Sequence, residues 1–96
     1  MDLFERMTAL CQTVPYLADK PGFGLGWDTA EAFPGEPDDN NVFPLPGWAQ
    51  GSSAAGEAVK FVRHVWNADN PPPSLAYWDR HHRRAFVAWA SDPWWG

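Results

Sequence analysis

The run SAAGEAVKFVRHVWN, residues 53–67, decides the fold. Its apolar residues Ala55, Ala58, Val59, Val62, Val65 and Trp66 recur at the three- and four-residue spacing of one helical face, and Phe61 widens the stripe. Ser52 or Ser53 can cap its start; Asn67 and the run Pro71 to Pro73 stop it. The spacing therefore predicts a helix over 53–67.

The same periodicity extends outward on both sides. Over residues 2–14, Leu3, Phe4, Met7, Leu10, Cys11 and Val14 share one helical face, with Asp2 as N-cap and Glu5 three residues on. Pro15 ends that helix, because proline disfavours helical dihedrals in the residue before it. Over residues 74–91, Leu75, Trp78, His82, Ala85, Phe86 and Trp89 recur at helical intervals, with Ser74 as candidate cap and Asp92-Pro93 as the stop. Arg80, Arg83, Arg84 and Val87 fall on a different face of this third helix. Residues 15–51 break the pattern: six prolines and six glycines leave no room for a regular helix longer than two turns. Tyr16, Phe23, Leu25, Trp27, Phe33, Phe43 and Trp48 in that segment are too many apolar anchors for a disordered linker. A packed, irregular excursion is expected, with a short strand near 23–27 or 41–45.

The expected fold is mainly α, a small single domain of about three helices. Its core is expected to gather Leu3, Phe4, Met7, Leu10, Val59, Val62, Trp66, Leu75, Phe86 and Trp89, with the 15–51 segment wrapping one side. The alternative is an α+β arrangement with a short hairpin in that segment.

Composition narrows the function classes. The 96 residues carry twelve acids and seven bases, a formal net charge of −5. A single Cys rules out an internal disulfide framework and a multi-cysteine zinc site. No apolar run approaches the roughly 18 residues of a membrane span. The opening Met1-Asp2-Leu3-Phe4-Glu5-Arg6 does not resemble a secretory signal, so a reducing cytoplasmic setting is the default expectation.

Charge and aromatic residues are unevenly placed. Residues 1–59 are net −7 and residues 60–96 net +2. Asp19, Asp28, Glu31, Glu36, Asp38 and Asp39 crowd segment 19–39 against one base, Lys20. Seven Trp in so short a chain are hard to bury completely, and half-exposed Trp is enriched at binding hot spots.

The candidate chemical motifs are weak. His64, His81 and His82 lack metal-site spacing, although Asp79 and His82, three residues apart, can share a face. His82 reads as a hydrogen-bonded, partly buried residue and Cys11 as a buried, inert thiol. The run Gly22-Phe23-Gly24-Leu25-Gly26 lacks both the spacing and the context of a phosphate loop. Glu36, Asp38 and Asn40 alternate as in a calcium loop, but the glycine and glutamate that complete such a loop are missing. No cofactor and no metal are expected.

The leading expectation is a non-enzymatic interaction protein, an inhibitor or adaptor. Its acidic segment, with Asp19, Asp28, Glu31, Glu36, Asp38, Asp39, Trp27 and Trp48, would dock on a basic surface of a larger protein or nucleoprotein partner. In size, acidity and lack of a catalytic constellation the chain resembles, as a class, small inhibitors encoded by phages and mobile elements, such as anti-CRISPR proteins and DNA mimics. Three other readings stand beside it: a nucleic-acid binder using Trp78, Arg80, Arg83 and Arg84, a small His-dependent enzyme subunit, and a homodimer anchored by Trp94 and Trp95.

Overall fold

The computed structural model describes residues 2–19, 33, 35–40, 42–51 and 53–96. Five helices run in order through them: α1 (Leu3–Thr13), α2 (Pro15–Ala18), α3 (Gly47–Gln50), α4 (Ser53–Trp66) and α5 (Arg80–Ser91). The described residues contain no strand. The α+β alternative is therefore not realised over 42–45, and the strand proposed at 23–27 lies outside the described residues. Among the described residues no helix is long and apolar enough to cross a membrane.

Helix α1 starts where Asp2 turns back on it, its Oδ1 accepting the Glu5 N–H at 2.8 Å. It stops at Val14, which is extended (φ −101°, ψ 109°), as a residue before proline prefers. Pro15 then opens α2 from its first position, where a missing N–H costs nothing. The Val14 carbonyl accepts the Leu17 and Ala18 N–H groups, both at 2.9 Å.

Helix α4 is central, packing against α1, α2 and α3. Its buried residues include Gly56, Glu57 and Arg63 as well as the apolar stripe, so it is covered on more than one face. Gly56 admits the Leu45 side chain: a Cβ there would lie 3.1 Å from Leu45 Cδ1. Phe61 is fully buried and forms the aromatic hub, its ring centroid 5.4 Å from Phe86, 5.7 Å from Trp89 and 5.9 Å from Trp78. Met7, Leu10, Val59, Val62 and Trp89 lie in the core as expected, while Leu3, Trp66, Leu75 and Phe86 pack against its edge. Phe4 is a correction: it is exposed, because it meets α4 only at its last residue, stacking at 6.2 Å on Trp66, which itself lies at the edge of the core.

The third predicted helix begins six residues late. Ser74 does not cap it; the Ser74 N–H donates to the buried Glu57 Oε2 at 2.6 Å. Trp78 is drawn inward instead, its Nε1–H donating to the Ala54 carbonyl at 3.1 Å. The helix starts only after Asp79, whose Oδ1 accepts the His82 N–H at 3.0 Å. At the other end, Trp89 Nε1–H donates to the Trp94 carbonyl and Gly96 N–H to the Val65 carbonyl, both at 2.9 Å. These bonds fold the segment after α5 back over the end of α4.

Candidate functional site

The acidic turn is built by glycine and aspartate. Gly35 has φ +69°, a conformation that side-chain-bearing residues rarely adopt, and this directs the chain into residues 36–40. Asp38 closes the turn. Its Oδ1 accepts the N–H groups of Asn40 at 2.9 Å and Val42 at 3.0 Å, while its own N–H donates to the Val42 carbonyl at 2.9 Å. One Asp38 oxygen is thus committed to the backbone as a turn-closing acceptor. Glu36, Asp38 and Asp39 are all exposed. Among the described residues the ion pairs are Lys60–Glu57 and His82–Asp79, and neither involves this turn.

Beyond the turn the chain enters a cleft of about 350 Å³. One wall comes from Phe33, Asn40, Val42, Phe43 and Leu45; the other comes from α4 and the turn that follows it, with Lys60 and Asp69. Arg63 fastens the first wall to α4. Its Nη1 donates to the Phe43 carbonyl at 3.2 Å and its Nη2 to the Pro44 carbonyl at 3.0 Å. The guanidinium also lies 5.1 Å from the Phe33 ring centroid. Burial lowers the Arg63 pKa from its ordinary value, in the direction expected for a cation removed from water. The second wall is held by asparagines: Asn67 Oδ1 accepts the Asp69 N–H at 3.0 Å, and Asn70 Nδ2 donates to the Arg63 carbonyl at 2.9 Å.

The other predicted site residues scatter. Asp19 is exposed at the end of α2. Trp48 is 37% exposed on α3. Trp27, Asp28 and Glu31 lie outside the described residues. Arg80, Arg83 and Arg84 are exposed on α5, and no described carboxylate pairs with them. Trp78 is a correction. At 3% exposure, with its indole N–H bonded to Ala54, it cannot offer a face to a base. The terminal tryptophans also have internal work. Trp94 is half-buried with the Arg6 guanidinium 4.3 Å from its ring centroid. Trp95 is 46% exposed and meets the His64 and Trp89 rings edge-on, 5.0 Å from each.

The histidines are held differently from one another. His64 sets Nδ1 against the Asn70 carbonyl at 2.7 Å, which requires Nδ1–H as donor. His81 is exposed. His82 is 1% exposed; its Nδ1 faces Asp79 Oδ1 at 3.0 Å and its Nε2 accepts the Tyr16 N–H at 3.0 Å. This is an aspartate–histidine pair of the kind a catalytic dyad uses, but the distal nitrogen is engaged by the backbone at the start of α2. Cys11 is buried, and desolvation pushes its thiol up to about 12. Among the described residues no group of three His, Cys, Asp or Glu is placed to hold a metal ion.

No family model, curated protein or solved structure matches the chain.

Proposed function

We propose that this chain is a non-enzymatic interaction module, an inhibitor or adaptor that docks its acidic turn on a basic surface of a larger protein, in the manner of phage-encoded inhibitors. The observation that carries this reading is the state of Glu36 and Asp39. Both are exposed, no described basic side chain pairs with them, and the turn that presents them is already ordered by Asp38. Carboxylates held in this way steer a cationic partner from a distance and lose little entropy on contact. The net charge of −5 favours the same class of partner.

Affinity capture tests the reading. The wild-type chain should retain a partner from bacterial lysate at low salt and release it at moderate salt. Glu36→Lys/Asp39→Lys should retain none of it, and the control Arg83→Glu/Arg84→Glu should retain it unchanged. Equal capture by wild type and the first variant contradicts the proposal. The three exposed arginines of α5 support a second reading, nucleic-acid binding through phosphates alone, with no stacking by Trp78. Steeply salt-dependent filter binding, lost in Arg83→Glu/Arg84→Glu, would favour it.

A further inference from the structure

The cleft beside the acidic turn has properties that select its occupant. Its volume of about 350 Å³ is near the bottom of the roughly 300–1,000 Å³ range of small-ligand sites, enough for one large side chain and too little for a dinucleotide. Both walls are fixed in advance: Arg63 pins the Phe43 and Pro44 carbonyls, Asp38 pins the Asn40 and Val42 amides, and Asn67 and Asn70 secure the turn after α4. A cleft organised before binding gives up little conformational entropy when it is filled.

Charge sorts the rest. Lys60, paired with Glu57, and Arg63 bring two cationic groups to the lining against the one carboxylate of Asp69, so the cleft interior holds no net attraction for a cation. Glu36, Asp38 and Asp39 do not line it; they stand on the turn that leads Asn40 and Val42 into its wall. The apolar lining of Phe33, Phe43, Val42 and Leu45 therefore suits a neutral group, while cations belong just outside. The geometry points to a peptide-recognition cleft that receives one aromatic side chain of the partner, with the partner's flanking Arg or Lys residues meeting Glu36 and Asp39. This rests on the docking role proposed above and names the partner's chemistry: a basic segment with an aromatic anchor, the residue type that most often dominates interface energetics.

The test uses the full chain and three blocked pentapeptides, Arg-Arg-Trp-Arg-Arg, Arg-Arg-Ala-Arg-Arg and Glu-Glu-Trp-Glu-Glu, in NMR titrations. The first should shift the backbone amides of Asn40, Val42, Asn67 and Asn70. The alanine peptide should bind about tenfold more weakly, the loss expected when an interface anchor is truncated. The acidic peptide should not bind. Val42 is 47% exposed, so Val42→Trp can fill the cleft, and Val42→Glu can charge it, without disturbing the core. Both should abolish the shifts while the remaining spectrum stays native. Glu36→Lys/Asp39→Lys should weaken binding yet preserve the preference for tryptophan over alanine. Equal binding of the tryptophan and alanine peptides, or shifts confined to residues 36–39, overturns the cleft proposal and leaves the charge-based docking of the turn standing. Equal binding of the acidic peptide overturns the basic-flank requirement and the proposal with it. Absence of any shift at millimolar peptide also overturns it, whereas failure of the docking role itself is read separately, from the capture experiment.

Discussion

His82 joins two distant parts of the chain through its two ring nitrogens. Because Nε2 accepts the Tyr16 N–H and Nδ1 faces the Asp79 carboxylate, the imidazole is neutral with its proton on Nδ1. Imidazole ¹⁵N spectra should show Nε2 as the unprotonated nitrogen. Removing the fully buried ring takes the acceptor from the part-buried Tyr16 amide and opens a void beside the Tyr16 ring, stacked at 4.4 Å, so His82→Ala should cost about 3 kcal/mol in denaturant unfolding. Asp79 adds a pH dependence of defined sign. The His82 backbone N–H, and then its ring N–H, hold this carboxyl at about 2 rather than 3.8. A folded-state pKa below the unfolded value stabilises the protein above roughly pH 4 and loses that contribution as pH falls toward 2. Asp79→Asn keeps a capping side chain and removes the charge. Its unfolding midpoint should therefore lie below that of wild type at pH 6, with the gap closing on acidification. The Cys11 reading is equally open to measurement: a buried thiol raised to about 12 should resist alkylation at pH 8 until the chain unfolds.

At the scale of elements, α1 and α4 were legible because the apolar period and a terminating proline or asparagine agreed, joined in α1 by the Asp2 cap; the Ser52 cap expected for α4 lies outside the described residues. The start of α5 was not. Leu75 and Trp78 continue the helical spacing, so periodicity alone carries the helix back to Ser74. What overrides it is tertiary, namely the Glu57 carboxylate on the Ser74 amide and the Ala54 carbonyl on the Trp78 indole. Arg63 was missed for a related reason. A charged residue on a helix reads as solvent-facing, and only the irregular 43–44 backbone, whose path has no sequence period, supplies the carbonyls that justify its burial. Arg63 therefore holds the cleft open, and its replacement has a predictable signature. Arg63→Leu keeps apolar volume but strands two carbonyls; it should cost about 2–3 kcal/mol and accelerate amide exchange at Asn40 and Val42 before it affects α4. Gly56 makes a smaller, opposite prediction. Leu45 is only half-buried and has room to give a few tenths of an ångström, so Gly56→Ala should stabilise by about 0.5 kcal/mol through helix propensity, measured as a raised thermal midpoint.

For the whole molecule, the aromatic surplus divides between two uses that composition could not separate. Phe61, Trp78 and Trp89 fill the core of a chain too small to do so with aliphatics alone, while Trp48, Tyr77 and Trp95 keep substantial exposure. The charge asymmetry is also a property of the surface: the exposed acids of the 36–39 turn and the exposed arginines of α5 do not neutralise one another. The exposed carboxylates of this turn are thus the groups on which the proposed docking rests. Zero-length carbodiimide cross-linking of the captured complex tests that docking most directly, because this reagent joins a carboxylate only to an amine in contact with it. Bonds from Glu36 and Asp39 to lysines of the partner are the predicted result; bonds from Asp2, Glu5 or Asp92 to the partner, with none from the turn, would contradict the account.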